Sequence, residues 1–340
     1  MRSSGPVGRS GGEPSHRVCR GDDGGALALR IRRSITVGAG VRRGGGARDV
    51  RYSLGAPAGR RPGRRTVASA HPPPNWAITA KPGMLAPPHE RDFFMGLEEL
   101  KRGQPELALE RFEAAARRDT RGRALSDDLL AGLTALQVGD AARGIPHLEA
   151  VVASDAGLPD DLLRKYAPEL AFDLSITPEV TAVIAAGSLA AALALVECYQ
   201  AVGRNDEAVG LLQQLIEVDD EPALTLSLCE LYHEARDWDE VVELAVGVEN
   251  TDDVSLQMLL YRATAHAERD DDATALADYD AALASKRRSD ELLRSARYGR
   301  GSTRLRLGDA AGAREDLEAV AAGDPEYRDV ARLLDDLGPR

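Results

Sequence analysis

RSARYGRGSTRLRLGDAAGAREDLEAVAAGDP, residues 294–325, holds two amphipathic helices and the signals that join them. Gly301 and Leu305 fall on the first helix, Gly308-Asp309 forms a turn, and Ala313, Leu317 and Val320 make the apolar stripe of the second. Asp324-Pro325 then stops the second helix, because proline lacks an N–H and clashes with the preceding turn. Gly308 suits a left-handed helix end, and the small residue at 301 lets two antiparallel helices approach. Five more turn-like dipeptides lie upstream: Gly103-Gln104, Gly139-Asp140, Gly203-Arg204, Arg236-Asp237 and Asp270-Asp271. Successive turns are 36, 64, 33, 34 and 38 residues apart. Four of these gaps lie near one period of about 34 residues, so the chain is expected to be an array of helix pairs, interrupted once.

The unit resembles the tetratricopeptide repeat, a family that wants a small residue in mid-helix, Gly-Asp or similar at the turn, alanine after it, and proline at the end. Repeat one, about 89–120, supplies Gly96, Leu100, Gly103, Ala108, Phe112 and Ala115; repeat two, about 125–156, supplies Gly132, Leu136, Gly139, Gly144, Leu148 and Val151. Repeat three, about 189–220, has Val196 in the small slot, and repeat four, about 222–249, has Arg236 where glycine is usual. Repeat five, about 256–288, offers Ala263, His266, Ala275, Tyr279 and Ala282. The resemblance covers 89–156 and 189–325. It implies an all-α, antiparallel helix-pair solenoid wound into a right-handed superhelix, with a non-catalytic, protein- or peptide-binding role. Within 326–340, Asp329 to Leu337 carries Val330, Leu333, Leu334 and Leu337 on one face and is expected to cap the end of the stack.

Composition divides the chain near Met84. Residues 1–83 carry 16 Lys and Arg against 4 Asp and Glu, leaving 27 against 51 for the remainder. The first segment runs through Gly, Arg and Pro clusters and is expected to be disordered, with Met84 the expected start of translation. Units 84–156 and 189–325 should then hold the repeats. No run of 18 apolar residues exists, so no membrane span is expected. Cys198 and Cys229 fall inside helices without a CxxC or Cys/His pattern, which fits buried core residues of a cytoplasmic, high-GC bacterial protein.

Residues 157–188 break the period. Asp160 to Tyr166 reads as a short helix; Phe172, Leu174 and Ile176, then Val180, Ala182 and Ile184, alternate with polar residues about Thr177-Pro178-Glu179. A small β-hairpin packed on repeats two and three is expected, the alternatives being a spacer or a degenerate helix pair.

No phosphate-binding loop, metalloprotease helix, nucleophile elbow or calcium loop is present, and no enzyme activity, cofactor or metal is expected. Asp270-Asp271-Asp272 is read as a helix cap. The basic island from Lys286 to Arg306 is expected to pair with Asp290, Glu291 or the preceding repeat's acids; the acidic balance of the array opposes a nucleic-acid role. The resemblance implies that first helices line a concave face, which here would present Glu197, Gln200, Glu230, His233, Glu234, Thr264, Glu268, Tyr298 and Arg306. Such an acidic groove would take a basic segment of another protein. A regulator whose superhelix responds to a bound peptide is the alternative. The carboxylate clamp of the family's chaperone-binding members is disfavoured, since Phe93, Leu97 and Leu130 hold the corresponding slots. Partner identity and oligomeric state are not legible.

Overall fold

All six turn residues identified above adopt left-handed backbone: Gly103, Gly139, Gly203 and Gly308 have φ between 73° and 81°, while Arg236 and Asp270 stand at 59° and 61°. In the computed structural model, which describes residues 50–54, 70–72, 76–119 and 124–338, these turns join six helix pairs. The pairs are α1 Pro88–Lys101 with α2 Pro105–Arg118, α3 Leu125–Gln137 with α4 Ala141–Val152, and α6 Ser188–Ala201 with α7 Asn205–Ile216. They continue with α8 Pro222–Ala235 and α9 Trp238–Leu244, α10 Asp253–Glu268 and α11 Asp272–Leu283, and α12 Asp290–Arg306 and α13 Ala310–Gly323.

Each turn does two jobs. Its first residue ends one helix in the left-handed region, and in three repeats its second residue caps the next helix. Asp140, Asp271 and Asp309 accept backbone N–H bonds from Arg143, Thr274 and Gly312 at 3.2, 3.2 and 2.9 Å. The triplet Asp270-Asp271-Asp272 is therefore a turn, a cap and an acid that receives Arg306.

The small slots face large residues on the partner helix of the same pair. A Cβ on Gly96 would stand 2.6 Å from Phe112, one on Gly132 would stand 2.4 Å from Leu148, and one on Gly301 would stand 3.0 Å from Leu317. Helix axes can approach only because these methyl groups are missing.

The interruption contains α5 Asp161–Tyr166 and the antiparallel hairpin β3 Ala171–Ser175 with β4 Val180–Ala185. Strands β1 Val50–Leu54 and β2 Ala70–His71 flank it, giving the order β1-β4-β3-β2 with β1 antiparallel to β4 and β2 antiparallel to β3. Register pairs Phe172 with Ile184 and Leu174 with Ala182, so one apolar face is formed. That face lies on the first helices: β3 and β4 touch α6, β4 reaches α10, and β2 touches α3. Asp160 ties the insertion to the array by accepting the backbone N–H of Ser126 at 2.9 Å.

The expectation of disorder for 1–83 does not hold for its described part. Trp76 is 5% exposed and joins the main core, its carbonyl receives Lys101 Nζ at 2.8 Å, and Thr79 N–H donates to the Tyr166 carbonyl at 3.0 Å. The indole found a surface that composition could not reveal, because repeat one and α5 supply it from elsewhere in the chain. The rest of that segment lies outside the described residues. Trp76→Ala is expected to lower the unfolding free energy by about 3 kcal/mol, read from the urea midpoint; a surface residue would change it by under about 0.5 kcal/mol.

At the far end, α14 Val330–Asp336 lies on α13 with Val330 fully buried beside Leu317 and Val320.

The concave face as candidate functional site

The first helices α1, α3, α6, α8, α10 and α12 define the inner face, and its polarity changes along the array. At the inward slots of the first four repeats stand Phe93, Leu97, Leu129, Leu133, Leu193 and Leu226, each at most 1% exposed. A solvent-facing groove would not bury leucine; these residues share one core with Tyr166 and the apolar face of the hairpin. Tyr166 sets its ring 6.2 Å from Phe93 and 5.7 Å from Phe94, and its hydroxyl donates to Glu90 at 2.5 Å. The hairpin covers the middle. Helices α3 and α6 are consequently buried on nearly every side, as a helix that is apolar all round must be.

Burial also reaches acids. Asp127, in the first turn of α3, is fully buried with neither carboxylate oxygen hydrogen-bonded, and Asp160, Asp119, Asp128 and Asp92 stand near. Desolvation first, and then these negative neighbours, raise its pKa to about 8, so it is mainly a neutral acid at neutral pH.

The nine predicted lining residues do not form one open groove. Gln200 and Glu230 are buried at 6% and 8% exposure, and Glu197 on α6 is half-buried. His233 is stacked on Tyr261 at 4.5 Å and meets Trp238 edge-on at 5.5 Å. Burial, followed by the charges of Arg328 and Arg236, pushes its pKa down to about 4, so the imidazole is neutral. Thr264 is turned onto its own helix, its hydroxyl donating to the Leu260 carbonyl at 2.9 Å. Arg306 is held by Asp272 of the preceding repeat at 2.5 Å, and the Tyr298 hydroxyl donates to Asp329. Glu234 and Glu268 alone of the acids are exposed. The expected acidic mid-groove is thus replaced by a covered region over repeats two to four and an open one over repeats four to six.

Several residues around the open part escaped notice in the sequence. Trp238, Tyr327 and Arg328 are there, Tyr261 is buried against His233, and Glu179 comes from the hairpin turn, where burial raises its pKa above the usual carboxylate value. A signal existed: inward slots occupied by leucine in repeats two to four predict a covering element, since an open solenoid keeps them polar.

The basic island is internally paired in large part. Arg294 meets Glu291 at 2.7 Å, Arg300 meets Asp280 of the preceding repeat at 2.8 Å, and Arg300 and Arg304 share Asp316 at 2.6 and 2.8 Å. A cleft of about 460 Å³ on repeats one and two, bordered by Glu110, Arg111 and Arg117, is likewise occupied by ion pairs, with Glu113 bridging Arg143 at 2.5 Å and Arg117 at 3.3 Å. Cys198 and Cys229 are buried free thiols pushed up to about 12, outside the range of a nucleophilic cysteine. No helix among the described residues is long and apolar enough to cross a membrane.

No family model matches the chain, and no curated protein matches its sequence. Among solved structures it is similar to a tetratricopeptide repeat protein from Parabacteroides merdae, at 11% identity and a TM-score of 0.36 over 74% of this chain and 99% of that one. A thermophilic tetratricopeptide protein of Thermus thermophilus matches at 15% identity and TM-score 0.23, over 73% and 98%. The TPR2AB domain of yeast Sti1, solved in complex with pHSP90, matches at 16% identity and TM-score 0.28, over 73% and 96%. The chain's own repetition remains the firmer ground: six left-handed turns, seams of glycine against large side chains, and a period near 34 residues make it a tetratricopeptide-like array of six helix pairs.

Proposed function

We propose that the chain is a protein-binding scaffold that takes a segment of another protein on the open part of its concave face, over repeats four to six. The observation that carries this is the change of surface along one face. Phe93, Leu129, Leu193 and Leu226 of repeats one to four are buried in one core with the insertion, whereas further along the face His233 and Tyr298 are half-buried and Glu234 and Glu268 exposed. Aromatic side chains with charged neighbours are what protein interfaces enrich. The two exposed glutamates favour a basic stretch in the partner, acting chiefly on encounter rate and salt sensitivity. The two free, buried cysteines fit a cytoplasmic setting.

The test is affinity capture by the full chain beside a Glu234→Gln/Glu268→Gln variant of the same fold, from lysate of the source cells. A specific protein retained by the first and lost or weakened about tenfold with the second is expected. Identical capture by both would remove the groove from consideration.

A further inference from the structure

We infer that Arg328 is a carboxylate-recognition residue which receives an acidic side chain of the bound segment and so fixes its direction along the groove; this rests on the assignment of repeats four to six as the binding face. Arg328 follows the last helix pair in a left-handed conformation, φ 49°, unusual for a residue with a Cβ. Its guanidinium lies 4.9 Å from the ring centre of Tyr298 and 5.4 Å from that of Tyr327. The two rings meet edge-on at 5.7 Å, and Arg294 lies 5.8 Å from Tyr327.

Attraction to aromatic rings holds a guanidinium in place while leaving N–H groups available to a carboxylate. Arg328 has no hydrogen bond or ion pair among the described residues. Its neighbours are otherwise engaged. Arg294, Arg300, Arg304 and Arg306 have carboxylate partners, and the adjacent Asp329 accepts from both Tyr298 and Arg332. Arg297 also has no such partner among the described residues, but no ring holds it in place.

Arg328 is exposed and lies over Tyr298, one of the residues assigned to the inner face. A planar fork held ready by two rings matches the two oxygens of a carboxylate. Glu234 and Glu268 lie toward the other end of the open face. A partner segment with basic residues over repeats four and five and an acidic residue over repeat six would therefore fit in one direction only. Adjacent helix axes lie about 8–10 Å apart, so two steps span roughly 20 Å, or about six extended residues.

The probe is a fluorescein-labelled peptide with two lysines and two glutamates separated by six alternating serines and alanines, titrated into the full chain and followed by anisotropy. Replacing the probe's glutamates by glutamine is expected to weaken binding to the wild type about tenfold, a charged hydrogen-bond pair's worth. With Arg328→Gln the two probes should bind alike, while Arg297→Gln, which removes the same charge from an unstacked position, should still discriminate. Thermal unfolding of both variants verifies that each is folded. Discrimination that survives Arg328→Gln, or a wild type that reads the lysines but not the glutamates, overturns the role of Arg328 while leaving the binding face standing. A wild type indifferent also to replacement of the probe's lysines by glutamine overturns both.

Discussion

Phe172→Ala is expected to destabilise the chain by about 3–5 kcal/mol. Phe172 is fully buried on β3, in a core cluster that runs from Trp76 through the hairpin to Tyr261 and Ala265. Removing its ring opens a cavity between the hairpin and the first helices, and leucines such as Leu193 and Leu129 line the same cluster. The loss follows because the hairpin is internal to the array and closes an apolar face that cannot be left wet: each leucine there gains about 1.5–3 kcal/mol from burial. The measurement is the urea midpoint and slope, beside Ala185→Ser at an exposed end of β4, which should shift stability by under about 0.5 kcal/mol. A loss for Phe172→Ala no larger than that control would show that the hairpin is only laid on the surface.

Asp316→Ala should cost a similar amount, about 3–5 kcal/mol, for a different reason. Asp316 is 3% exposed and accepts Arg300 Nε at 2.9 Å, Arg300 Nη2 at 2.6 Å and Arg304 Nη1 at 2.8 Å. Its removal leaves guanidinium groups partly buried without their counter-charge, and most of the loss comes from that uncompensated desolvation. Repeat five carries the same device, with Arg262 bidentate to Asp278 at 2.9 and 2.6 Å. In repeats three and four the corresponding slots hold Leu195 with Leu211 and Leu228 with Leu244. Repeats three to six therefore use either an ion pair or a leucine pair at this position between their two helices. Arg262→Leu with Asp278→Leu should accordingly cost much less than Asp316→Ala, although it removes two charged side chains rather than one. Chemical denaturation of the three chains side by side decides this; equal losses for the double variant and Asp316→Ala would assign the cost to something other than the unpaired charge.

What could be read from the residues alone were the features enclosed within one repeat. Gly103, Gly139, Gly203 and Gly308 announced left-handed helix ends, and even Arg236 and Asp270 were placed correctly by spacing and prove to adopt positive φ. The seams of Gly96 with Phe112, Gly132 with Leu148 and Gly301 with Leu317 follow from residues sixteen apart on two short helices. The hairpin was visible as alternation in 172–184, because a period of two leaves few other structures.

The site was far less legible. Alternation says that Phe172, Leu174 and Val180 share a face, but not that this face lies on α6 and reaches α10, roughly seventy residues further along. Inner-face positions carried over from a repeat pattern say which way a side chain points, not whether another part of the chain stands in front of it; hence Gln200 and Glu230 are buried where an open groove was expected. The same holds for Trp76, whose surroundings come from distant segments. By itself, then, the sequence determined the helix pairs, their turns and their count, since those depend on contacts within about 34 residues. Only the tertiary structure decided where the concave face is closed and where it is open, because the apolar surface of repeats two to four is satisfied by an insertion whose docking depends on which surface remains uncovered once the array has formed.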